Sequence, residues 1–158
     1  MICTMSIAES PLLPRPPSDT AATITRGVRR ALADRGVRTL VEFSLANNRR
    51  ADIFGIDEGG DIVIVEVKSS VADFRSDHKW QDYLDYCDSF YFAVGPDFPQ
   101  ELIPEECGLM VADAFGAEVL RESPVAKLVA ARRKAVTLRA VLCAAGRLHR
   151  VEDPGFGM

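Results

Sequence analysis

The run Ile62-Val63-Ile64-Val65, followed at once by Glu66-Val67-Lys68, constrains this 158-residue chain more than any other segment. Four consecutive β-branched residues without polar alternation predict a strand covered on both faces, so helices must lie above and below a sheet that has this strand at its centre. An acid and a lysine that continue such a strand stand where charge is least expected. Burying either without a partner is costly, which makes the end of this strand the first place to look for chemistry.

The flanking sequence supplies the strand's neighbours. Candidate strands Arg38–Leu45, Arg49–Asp57 and Asp61–Lys68 are separated by Asn47-Asn48 and by Glu58-Gly59-Gly60. Both separators are rich in residues that tolerate positive φ, which predicts a three-strand antiparallel meander. A hairpin centred on Gly59 puts Phe54 opposite Ile64, Asp52 opposite Glu66 and Arg50 opposite Lys68. A hairpin centred on Asn47 brings Glu42 opposite Asp52, so three carboxylates would cross three strands in a row.

Like charges directly opposed on a sheet are destabilising. A hard cation, Mg²⁺ or Mn²⁺, offsets that repulsion, because such ions are held by one or two carboxylates together with water and substrate phosphate. Lys68 shares the face of Glu66 and can place a point charge near an attacking water or a scissile phosphate. Such a site suits metal-assisted phosphate hydrolysis. A plainer reading pairs Asp52 and Glu66 with Arg50 and Lys68 as cross-strand salt bridges at the mouth of the sheet.

Around the meander, a helix capped by Ser18 or Asp19 is expected to run to about Arg35, with Ile24, Val28, Leu32 and Ala31 inward, Arg26, Arg29 and Arg30 outward, and Gly36 as its stop. A second helix is expected from Asp73 or Ser76 to Asp88, turning Trp80, Tyr83, Leu84 and Cys87 to the core. Strands follow at Ser89–Val94, Leu109–Ala112 and Ala117–Leu120, then a last helix opened by Pro124, running from Val125 to Ala145 and stopped by Gly146. Residues 1–18, with four prolines, read as a disordered leader, 19–150 as one domain and 151–158 as a loose tail.

The net charge of −4 opposes a nucleic-acid partner only if position is ignored. Residues 51–122 hold seventeen acids against four basic residues, whereas 125–150 hold seven basic residues and no acid. The ends are therefore basic, and Arg26, Arg29 and Arg30, with Arg132, Arg133, Lys134 and Arg139, are the candidate phosphate contacts. Solvated faces of opposite sign explain the same pattern. Ser69 either bonds a phosphate or caps the next helix, and Asp73 and Asp77 suit that helix's first turn. Trp80, Tyr83 and Tyr86 either stack on bases or fill the core. Cys3, Cys87, Cys107 and Cys143 form no CxxC pair, and His78 and His149 lie far apart, which argues against disulfides and a zinc site. With no long apolar run and no basic leader, a cytoplasmic chain without membrane contact is expected.

Asp52 and, after thirteen intervening residues, Glu66-Val67-Lys68, in the order helix, three-strand meander, helix, strand, resemble the PD-(D/E)XK nuclease superfamily. Arg50-Ala-Asp-Ile-Phe54, Ile64 to Arg75, His78-Lys-Trp80 and Asp85-Tyr-Cys-Asp88 resemble more narrowly the MmcB family of DNA repair proteins, over residues 20–148. The resemblance implies an α/β restriction-endonuclease-like fold with a central mixed sheet flanked by helices. It implies Asp52, Glu66 and the Val67 carbonyl as ligands of Mg²⁺ or Mn²⁺, Lys68 as catalytic lysine, and DNA as substrate; Arg50 and Ser69 are further candidate DNA contacts. Two departures stand out: Ala51 replaces the motif's proline, and the first helix lacks a placed glutamate, a gap that Glu42 could fill from its strand. The implied function is a metal-dependent endonuclease in DNA repair, with a non-catalytic DNA-binding or scaffold domain as the alternative. A homodimer through the Leu109–Leu120 segment and contacts with other DNA repair proteins are the further partners considered.

Overall fold

The computed structural model describes residues 19–155, so the leader expected over 1–18, and Cys3 within it, lie outside the described residues. Eleven elements follow in order, of which the regular ones are helix α1 (Asp19–Asp34), strands β1 (Arg38–Ser44), β2 (Arg50–Ile56) and β3 (Ile62–Lys68), helix α2 (Val71–Ser76), strands β4 (Ser89–Val94), β5 (Gly108–Ala112) and β6 (Ala117–Arg121), and helix α3 (Ala130–Glu152). The strands make one mixed sheet in sequence order, with β3, β4 and β5 parallel and the outer pairings antiparallel. All seven residues of β3 are buried, as the unbroken apolar run requires. Both hairpins take the expected register, Leu40 opposite Phe54 and Phe54 opposite Ile64. Asn48 and Gly60 supply the positive φ angles, +65° and +83°.

Alternating side chains divide the core into two layers. Ile24, Val28 and Leu32 of α1 pack with Ile53, Val63, Val65 and Met110 on one face. On the other face, Phe54, Ile64, Phe90 and Phe92 pack beneath Tyr83, Tyr86 and the α3 residues Val136 and Ala140. Helix α1 approaches the β5–β6 turn so closely that a Cβ on Gly27 would sit 2.0 Å from the Asp113 carbonyl oxygen, so only glycine fits there. That contact fixes where the arginine face of α1 lies. Leu109, Met110 and Ala112 are buried, which makes the β5 part of the Leu109–Leu120 segment core rather than interface.

Two helices depart from expectation. Instead of one helix up to Asp88, α2 is a single short turn capped by the Ser70 hydroxyl, which accepts from the Asp73 N–H, and a 3₁₀ segment follows over Trp80–Tyr86. A 3₁₀ period of three places Trp80, Tyr83 and Tyr86 on one side; Leu84 is therefore exposed and Tyr86 buried, the reverse of an α-helical pattern. The last helix starts at Ala130 rather than Val125 and continues through Gly146 to Glu152, into the segment expected to be loose.

The late start of α3 has a specific cause. Asp88, 3% exposed, accepts from the N–H groups of Ile62 (2.7 Å) and Leu128 (2.8 Å) and from both Arg133 guanidinium nitrogens (2.7 Å each), while its carbonyl accepts from Ala126 N–H. The segment before α3 is thereby held extended. Cys87 and Cys107 are buried free thiols, and burial pushes both up to about 12. Among the described residues no helix is long and apolar enough to cross a membrane.

Burial alone would raise the Asp88 carboxyl, but the hydrogen bonds from Arg133, Ile62 and Leu128 outweigh it and lower it to about 2. A carboxyl depressed in the folded state adds stability above its unfolded pKa of about 4. Asp88→Ala should therefore cost about 3 kcal/mol in urea unfolding at neutral pH. The difference from wild type should persist above about pH 4 and shrink as the pH falls toward about 2.

Candidate active site at the end of strand β3

Backbone pairing between β2 and β3 ends at Ile53 and Val65. Beyond that point the two strands part, and side chains take over the role of the ladder. The Asp52 N–H donates to Glu66 Oε1 (3.2 Å), and the Val67 N–H donates to Asp52 Oδ2 (2.8 Å). Each carboxylate thus satisfies a backbone donor on or beside the other's strand, so neither can swing away without leaving a donor unpaired. Glu66 is buried and Asp52 half-buried.

Two acids this close and this dry cannot both ionise freely. Burial, then the charge of Asp52, pushes Glu66 up to about 8. Burial also pushes Asp52 up to about 6, against the hydrogen bond from Val67 and the charge of Lys68, with the Glu42 charge adding to the rise. The pair holds a proton at neutral pH unless a cation takes its place. The Tyr83 hydroxyl donates to the Arg50 carbonyl (3.1 Å), and burial followed by the charges of Glu66 and Asp52 raises its pKa.

Lys68 is buried, and its Nζ donates to Asp77 Oδ2 at 2.7 Å. Burial works against its charge, but the hydrogen bond and charge of Asp77 prevail and hold it above the ordinary lysine value. Asp77 is lowered in turn: burial opposes, and the bond and charge of Lys68 win. From the sequence, Asp77 read as a residue of a helix's first turn. A lysine continuing a fully covered strand needs a carboxylate, and that requirement is the signal that points to it.

Among the described residues Glu42 does not converge with the other two acids on one metal-sized point, although it lines the same cleft and its charge reaches Asp52. The register on both sides is as expected, Val41 opposite Ile53 and Phe43 opposite Ala51, but Glu42 itself takes φ +51°. This left-handed conformation, uncommon for a residue with a side chain, accompanies an exposed carboxylate that pairs with Arg50 Nε at 2.6 Å. Arg50 accordingly faces Glu42, not Lys68. Ser69 donates its backbone N–H to Asp73 Oδ2 (3.1 Å).

Asp52, Glu66, Val67 and Lys68 line a cleft of about 910 Å³. Its opposite wall is α1, with Arg26, Arg29 and Arg30, joined by Arg38 of β1; Glu42 and Asp73 line it as well. An acidic floor facing a guanidinium wall suits an anion bound through a cation. The arginines of α3 are elsewhere: Arg132 lies over the Tyr86 ring (4.7 Å), Arg133 is held by Asp88, and Arg139 reaches the Ser44 carbonyl. Their expected role in gripping phosphate is not where the cleft is.

A model of the MmcB-like DNA repair protein family matches residues 8–155. The chain belongs to this family. A solved structure, a protein of unknown function (SPO1766) from Silicibacter pomeroyi, is 42% identical, with a TM-score of 0.85 over 90% of this chain and 98% of that one. A comparison with curated proteins gives no match.

A carboxyl pair that keeps a proton when folded, but releases it when unfolded above about pH 4.3, makes stability fall as pH rises between that value and about 8. Glu66→Gln keeps an acceptor for Asp52 N–H and removes the charge. In EDTA it should flatten this pH dependence and, at pH about 8, exceed wild type by about 2 kcal/mol in thermal unfolding.

Proposed function

We propose that this MmcB-like chain has the PD-(D/E)XK nuclease fold and is a divalent-metal-dependent endonuclease that hydrolyses DNA phosphodiester bonds in repair. The observation that carries this reading is the Asp52–Glu66 pair, held by crosswise backbone hydrogen bonds in a place where burial raises both carboxyls, and lining an arginine-walled cleft. The order of a helix, an antiparallel meander, a short helix and a parallel strand supports the fold assignment.

The donor set fits a hard cation. Among the described residues no three His, Cys, Asp or Glu side chains converge on one point. Asp52, Glu66 and the Val67 carbonyl would therefore hold Mg²⁺ or Mn²⁺ with water and phosphate completing the shell, as is usual for these ions. When bound, the cation polarises the phosphate and acidifies water. Lys68, kept protonated by Asp77, offers fixed positive charge to the oxygens that gain negative charge in the transition state. Arg26, Arg29 and Arg30 hold neighbouring phosphates and set the register of the strand.

A second reading, a DNA-binding domain without catalysis, is favoured by one feature: Glu42 is spent on Arg50, leaving two carboxylates instead of three. A nicking assay with Mn²⁺ on duplex, gapped and branched DNA separates the two. Cleavage should fall by about 10²-fold or more in Asp52→Asn and in Lys68→Ala. Wild type that binds each DNA yet cuts none would establish the second reading. In either case Arg29→Ala and Arg30→Ala should each lower the slope of log affinity against log salt by about 1.

A further inference from the structure

We propose that the outer face of α3 is the interface of a two-fold homodimer in which the two copies of this helix pack antiparallel. Lys134, Leu138, Val141, Ala145, Leu148 and Glu152 recur at alternating spacings of four and three residues, the seam of a coiled coil. The seam spans about 27 Å of helix. It points away from the core, which α3 meets through Val136 and Ala140. Leu138, Val141 and Leu148 are 56%, 58% and 54% exposed, and Leu142 beside them is 65% exposed. A helix carrying so much exposed apolar surface in register marks an interaction site.

The charges select the occupant. Of the six Lys and Arg residues in α3, five are arginines at positions off the seam. Four of these arginines are committed to the chain's own sheet side: Arg132 over Tyr86, Arg133 to Asp88, Arg139 to the Ser44 carbonyl and Arg147 to the Glu42 carbonyl (2.9 Å). The seam keeps one base, Lys134, and the helix's one acid, Glu152, at opposite ends. The flanks carry no Lys, Arg, Asp or Glu: Ala135, Leu142 and His149 on one side and Thr137, Ala144 and Val151 on the other. An acidic partner helix would find no row of cations there.

A second copy, run antiparallel, finds complements at every level. Leu138 meets Leu148, Val141 meets Ala145, and Lys134 meets Glu152, each twice by symmetry, as an isologous interface demands. Leu142 then faces its own counterpart near the axis.

Light scattering and sedimentation of the full chain test this directly. The expected result is a mass twice that of the 17.3 kDa chain, reduced to one chain by Leu142→Glu with helicity unchanged and cooperative unfolding retained. Lys134→Glu and Glu152→Lys should each weaken the dimer by about tenfold, and the double variant, which exchanges the charges, should restore it. Wild type that stays monomeric at high micromolar concentration would overturn the proposal. So would a dimer that withstands Leu142→Glu, a double variant no better than the single ones, or a monomer that instead captures an acidic amphipathic peptide on this face.

Discussion

The crosswise hydrogen bonds between Asp52 and the β3 strand are the constraint on which the rest depends. Where the β2–β3 ladder stops, two carboxylates accept the N–H groups that the ladder would have used. This fixes both side chains in a dry place where they repel each other. The surrounding fold serves to maintain that arrangement: a fully covered strand leads into it, a buried lysine follows it, and α1, seated by Gly27, faces it with arginines.

Such a site costs stability, and the fold recovers it at the other end of the same strand. The start of β3 is pinned by Asp88, whose carboxylate is fully satisfied by two backbone donors and Arg133. Its charge is favourable where that of Glu66 is not. One carboxyl is lowered to about 2 and the other raised to about 8, the division expected between a structural anion and a poised one. Both shifts follow from who donates to each carboxylate, not from burial alone.

The meander was legible because turn chemistry and strand period act locally. Asn48 and Gly60 set both registers, and the apolar run named the central strand. What the sequence hid is long-range or depends on a single dihedral angle. Asp77 becomes the partner of Lys68 only once α2 is cut short, and the three-residue spacing of Trp80, Tyr83 and Tyr86 mimics a helix until Leu84 is seen in solvent. The start of α3 depends on Asp88, forty residues from Leu128, and Glu42, at one positive φ, pairs with Arg50. Sequence order alone could not say that the basic stretch of α3 lies away from the cleft while that of α1 lines it.

A cation held between Asp52 and Glu66 would explain why two carboxyls are fixed so close together. A crystal structure of the protein soaked in Mn²⁺, with anomalous data, tests this most directly. The expected result is one anomalous peak shared by Asp52, Glu66 and the Val67 carbonyl, absent from Glu66→Gln. Saturating Mn²⁺ with no peak there, and with the two carboxyls still in their crosswise hydrogen bonds, would contradict it.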